Sequence, residues 1–134
     1  MYSAIALDHF HNPRHVGEVE GATGYARREN PVCGDVVEFW VRVHEGCLQQ
    51  VGFRAFGCAA ALASSSLLAE QVFGRPLPQV LEMTTGQLVG ALGGLPGSKT
   101  HGASLALEAL QAALESDRSA KGPEDRGPVG EAPG

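Results

Sequence analysis

The side chains able to hold a soft or borderline metal ion are few and lie far apart in the chain: Cys33 and Asp35, separated by one glycine, then Cys58 and His101. On a loop, both side chains of Cys33-Gly34-Asp35 can turn towards a single ion, and the other two residues stand where helices are expected to begin. Two thiolates, one imidazole and one carboxylate complete a tetrahedral set. Spacing alone leaves a second reading open, because two core cysteines and a surface histidine produce the same pattern. Cys58 also has the placing of an activated thiol. It follows Gly57 between an alternating stretch at 51–56 and a run of small helix formers, so its thiolate would meet the positive end of a helix dipole. Cys47 follows a hairpin glycine and reads as a sheet residue. His9, His11 and His15 surround a helix end, where solvated or capping roles are expected, and Ser64, Ser65 and Ser66 read as small residues that let a helix pack closely.

The elements that must position these groups follow from periodicity and punctuation. Residues 2–11 have helical spacing and stop at Asn12-Pro13. Residues 22–28 are expected to form a short edge strand, and 36–44 alternate cleanly, with Val37, Phe39, Val41 and Val43 on one face. Glu45-Gly46 turns the chain into a return strand at 48–56. A helix from Cys58 to about Phe73, capped by Gly74, two short helices at 78–83 and 87–92, and a last helix at about 103–114 follow. Strands first and helices afterwards predict an α+β domain with an antiparallel sheet and helices mainly on one face. From Ser116 the composition turns to Gly, Pro and charge, so residues 1–115 are expected to fold and 116–134 to form a disordered tail.

Composition narrows the function classes. The 134 residues support one core, and a net charge of -5 without a basic stripe gives no nucleic-acid footprint. Three cysteines at irregular spacing make no disulfide framework, and residues 1–10 lack the apolar run of a signal peptide. A cytoplasmic protein that neither crosses nor binds a membrane is expected, since no apolar run approaches the roughly 20 residues of a span.

Several local motifs, in order, resemble the IscU/NifU N-terminal family of iron-sulfur cluster assembly scaffolds. They are Asp8-His9-Phe10-His11-Asn12-Pro13-Arg14-His15-Val16-Gly17, Asn30-Pro31-Val32-Cys33-Gly34-Asp35, and Phe53-Arg54-Ala55-Phe56-Gly57-Cys58 with Ala63-Ser64-Ser65-Ser66. The resemblance covers about residues 2–115. It implies an IscU/SufE-like fold, a small three-stranded antiparallel sheet with helices on one face, and a site at one end of the molecule with Cys33, Asp35 and Cys58 as ligands. It also implies a [2Fe-2S] cluster or iron as cargo, with zinc as an alternative occupant, a cysteine desulfurase as sulfur donor, and apo iron-sulfur client proteins as acceptors. One departure is plain: the family pattern places a third cysteine, the usual persulfide acceptor, directly after the histidine, where this chain has Gly102. The family's Leu-Pro-Pro-Val-Lys stretch for an Hsp70-type chaperone is here Leu95-Pro96-Gly97-Ser98-Lys99. Slow or absent sulfur transfer is therefore expected. The leading expectation is a scaffold or carrier that holds its cargo with Cys33, Asp35, Cys58 and His101. The alternative is a diverged zinc- or iron-binding member without sulfur acceptance, acting as a regulator or binding module. A metalloenzyme would need an open coordination position and a general base, and four protein ligands leave neither, so a binding protein is expected rather than an enzyme.

Overall fold

A computed structural model describes residues 2–117. Helix α1 (Ala4–His11) leads to strands β1 (Gly24–Asn30), β2 (Asp35–His44) and β3 (Cys47–Phe56), then to helices α2 (Ala59–Val72), α3 (Leu77–Leu81), α4 (Thr85–Ala91) and α5 (Thr100–Glu115). The sheet is antiparallel in the order β1-β2-β3, which is the expected α+β architecture. Val37, Phe39, Val41 and Val43 face the core from β2, and Phe39 pairs with Phe53 across to β3 with ring centroids 5.9 Å apart. The period of two is broken once. Arg42 pairs with Gln50 but Val43 with Leu48, so Gln49 is the extra residue of a bulge, and Leu48 and Val51 are both buried although three positions apart.

Helices α5 and α2 cover this apolar face, α5 over β1 and β2 and α2 over β3. Their contact surfaces are built largely from alanine, with Ala60, Ala61, Ala103, Ala106 and Ala109 fully or almost fully buried, which permits close approach. Helix α1 packs on α2 and is capped by Ser3, whose hydroxyl accepts from the Ala6 N–H at 3.0 Å. His9 is buried rather than solvated: its Nδ1 lies 2.7 Å from Ser66 Oγ, which also accepts from the Arg14 N–H at 2.9 Å. Ser66 thus joins three segments, a role that helix-packing alone would not give it. Burial pushes the His9 imidazole pKa down and favours the neutral ring.

Some boundaries moved for local reasons. Strand β1 reaches Asn30 instead of ending at residue 28, because its polar end pairs through the main chain with β2 as far as Asn30 opposite Asp35. Helix α5 begins at Thr100, so His101 and Gly102 stand inside its first turn and not before it. Ser116, assigned by composition to the tail, closes α5 and accepts from the Tyr25 N–H at 2.8 Å, and Asp117 is buried beside it. The rest of the expected tail, 118–134, lies outside the described residues.

The β2–β3 turn places both Glu45 (φ 54°) and Gly46 (φ 78°) in the left-handed region, the geometry of a two-residue type I′ hairpin. Glycine meets this demand without strain, but glutamate does not. Glu45→Asn is expected to raise stability by about 0.5–1 kcal/mol, read as a higher urea midpoint at unchanged m-value.

Candidate metal centre

Four pieces of the chain meet at the same end of the sheet. The β1–β2 connection carries Cys33; β2 opens with Asp35; β3 ends at Phe56 opposite Val36, delivering Gly57 and Cys58 to the start of α2; and α5 starts beside them with His101. The connection is shaped by Asn30, whose side-chain carbonyl accepts from the Val32 N–H at 3.1 Å, and by Gly34 at φ 77°, whose N–H returns to the Asn30 carbonyl at 2.7 Å. Cys33 is thereby held exposed at the rim, next to an almost fully exposed Val32.

Asp35 is the centre of the site. It stands at the start of β2, not on the loop, and is only 1% exposed. Its Oδ1 accepts from the Cys58 N–H at 2.9 Å, and its Oδ2 accepts from Cys58 Sγ at 3.4 Å. The carboxylate therefore faces the N-terminus of α2, where unpaired N–H groups and the helix dipole favour a negative charge. Gly57 makes this approach possible. Its φ is 119°, and a Cβ there would lie 2.1 Å from Asp35 Oδ1.

His101 completes the cluster from α5. Its Nε2 lies 3.2 Å from Asp35 Oδ2, yet it is buried and the geometry is not that of a hydrogen bond. A buried ring nitrogen left in this way suits a ligand position. The donor atoms of Cys33, Asp35 and His101 all lie within 4.8 Å of one another. Cys58 is not of that trio but joins it through Asp35 Oδ2. Tetrahedral zinc bonds of about 2.0–2.3 Å place neighbouring donors about 3.5 Å apart, so Cys58 and the trio would draw closer together around a bound ion. The chemistry of the donors, two thiols with a carboxylate and an imidazole, fits iron, zinc or an iron-sulfur cluster. Cys47 lies at the other end of the ten-residue β3, beside the β2–β3 hairpin turn and remote from the site.

Comparison with known proteins identifies the family to which the chain belongs. The family model described as the NifU-like N terminal domain matches residues 1–122. The chain belongs to the NifU-like N-terminal domain family. This NifU-like chain is 42% identical over 114 residues to the iron-sulfur cluster assembly scaffold protein IscU 1 of Archaeoglobus fulgidus, covering 85% of this chain and 74% of the relative. It is 35% identical over 125 residues to the scaffold protein IscU of Azotobacter vinelandii, covering 90% and 97%. The crystal structure of a NifU-like N-terminal protein from Brucella abortus superposes with a TM-score of 0.71 at 16% identity over 85% of this chain and 92% of that one, which establishes the shared fold.

Within this NifU-like domain the sequence pattern singled out Cys33, Asp35, Cys58 and His101, and the structure brings all four to one end of the sheet. It did not reveal that Asp35 is buried as the shared partner of the other groups, nor that Gly57 is what admits it. The only signal was the glycine immediately before Cys58. Gly34→Ala meets open space and only the torsional demand of φ 77°, whereas Gly57→Ala also drives a methyl group into the carboxylate. Equilibrium unfolding should show a loss of about 1 kcal/mol for Gly34→Ala and about 3 kcal/mol or more for Gly57→Ala.

Proposed function

We propose that this protein is an iron-sulfur cluster assembly scaffold or carrier. The cargo, a [2Fe-2S] cluster or iron, is held by Cys33, Cys58, His101 and Asp35 and passed to apo iron-sulfur proteins. The observation that carries the reading is the buried Asp35 carboxylate, which has Cys58 Sγ 3.4 Å and His101 Nε2 3.2 Å from one oxygen and Cys33 within 4.8 Å. Kinship to proteins named as cluster assembly scaffolds supports it.

The division of labour follows from donor chemistry. Thiolates of Cys33 and Cys58 bind iron strongly, the imidazole can stand in for a thiolate on a cluster iron, and the carboxylate is the weaker ligand. A site with one weak ligand releases its cargo readily, and Cys33 at the exposed rim gives an acceptor protein direct access. Val32 and Phe56, 91% and 58% exposed, offer apolar surface beside it for the docking of such a protein. The role is one of binding and hand-over, with no substrate turned over by the chain itself. A cysteine desulfurase is the sulfur donor that such a scaffold would meet, but position 102 carries no thiol and can form no persulfide, so transfer by this route is slow or absent and sulfide or a pre-formed cluster supplies the sulfur. The stretch Leu95–Lys99, expected as a weakened chaperone motif, leads through a 3-10 turn at Gly97–Lys99 into α5, where an Hsp70-type partner would contact the site's own entry segment. Among the described residues no helix is long and apolar enough to cross a membrane; together with thiols that must stay reduced to bind metal, this supports a cytoplasmic setting.

Anaerobic incubation of the full chain with ferric iron and sulfide, which together already carry the oxidation states of a [2Fe-2S]2+ cluster, should give the visible absorbance of a cluster, and addition of an apo-ferredoxin should move that absorbance to the acceptor. Cys33→Ser and Cys58→Ser should each abolish it, and Cys47→Ser should leave it intact. Zinc alone, at about a hundredfold above its Kd, should stabilise the wild type by about 2.7 kcal/mol in a thermal melt and do so far less for the same two variants. Zinc binding without any cluster would favour the zinc- or iron-only alternative. A requirement for Cys47, and not for Cys33 or Cys58, would contradict the ligand assignment.

A further inference from the structure

Helices α2 and α5 meet at their first turns in a contact closer than any side chain at position 102 allows. A Cβ on Gly102 would lie 2.9 Å from the Ala61 amide nitrogen, 3.0 Å from the Ala60 carbonyl carbon and 3.1 Å from Ala60 Cβ. The first two are main-chain atoms and cannot rotate aside. They belong to the turn that opens with Cys58, whose carbonyl accepts from the Ala61 N–H at 3.1 Å. On the other side of the contact, Gly102 directly follows His101 in the first turn of α5. Its backbone is helical and its φ is not positive, so no torsional demand explains a glycine there. Inside a helix glycine is less favourable than alanine, so the close contact is what accounts for it.

We infer that Gly102 is a positioning residue for the metal centre: its missing side chain lets the two first turns abut and thereby sets the separation between His101 and the Cys58–Asp35 pair. The inference rests on the reading of these residues as ligands. Any side chain at 102 must move the α2 turn, and Cys58 moves with it, because Cys58 is the N-cap of that helix. His101, one residue away on α5, is carried in the opposite direction. The 3.2 Å approach of His101 Nε2 to Asp35 then opens, since Asp35 is fastened to Cys58 through both the N–H and Sγ. For the same reason a cysteine at 102 would enter this packing only by displacing the ligands already there.

Cobalt(II), a spectroscopic substitute for zinc, tests this on the full chain in wild-type, Gly102→Ala and Gly90→Ala forms. Gly90 is a helical position in α4 whose Cβ would meet nothing within 4 Å, so it controls for alanine placed in a helix. The expected result is wild-type affinity and spectrum for Gly90→Ala. Gly102→Ala should bind at least tenfold more weakly, with a shifted ligand-field band and unchanged helical circular dichroism. Adding Ala60→Gly to Gly102→Ala should recover part of the affinity by vacating the Cβ contact. Wild-type affinity and spectrum in Gly102→Ala would overturn the inference. So would loss of the helical signal in that variant, because the claim is a displaced site on an intact domain. If the wild type shows no thiolate-to-cobalt absorption that Cys58→Ser removes, the ligand reading itself fails and this inference falls with it.

Discussion

The arrangement of this domain depends on keeping one carboxylate, Asp35, out of water. A carboxylate that is 1% exposed carries a desolvation penalty of several kcal/mol unless donors or positive charge meet it. Here it is met by the Cys58 N–H, by the dipole of α2 behind that group and by the Cys58 thiol. Each partner comes from an element whose placement the sheet fixes. Strand β2 supplies the carboxylate, the end of β3 supplies the turn into α2, and α5 lies across β1 and β2 to bring the histidine.

That compensation is incomplete in a way that bears on function. His101 Nε2 is close to the carboxylate but makes no hydrogen bond, Cys33 stands at the solvent edge, and the contact between Asp35 and Cys58 uses a weak thiol donor. A cation entering among these groups would replace poor contacts with strong ones and neutralise a buried charge. The same donors would give it up again to a partner able to reach Cys33. Tight packing lies behind the site, in the alanine-rich contact of α2 with α5.

Much of this was legible in the sequence because it rests on local signals. The alternation from Val37 to Val43, the Glu45-Gly46 turn and the apolar spacing of Leu107, Leu110 and Leu114 define the sheet and α5 with little reference to the rest of the chain. Cys33, Asp35, Cys58 and His101 stood out as ligand types beside glycines and helix starts. What stayed hidden depends on contacts between distant segments. The burial of Asp35 follows from Gly57, 22 positions away, giving up a side chain that would have struck it. His9 looked solvated because its partner, Ser66, lies 57 residues further on. The start of α5 at Thr100 is set by its seat against the first turn of α2, which neither propensity nor periodicity around His101-Gly102 announces.

X-ray absorption at the zinc edge of the zinc-loaded full chain addresses the central claim most directly, because it counts the ligands by element. The account predicts a single zinc per chain with two sulfur neighbours at about 2.3 Å and two nitrogen or oxygen neighbours at about 2.0–2.2 Å, falling to one sulfur in either Cys33→Ser or Cys58→Ser. Three sulfur neighbours, or a first shell that Asp35→Ala and Cys58→Ser leave unchanged, would contradict it.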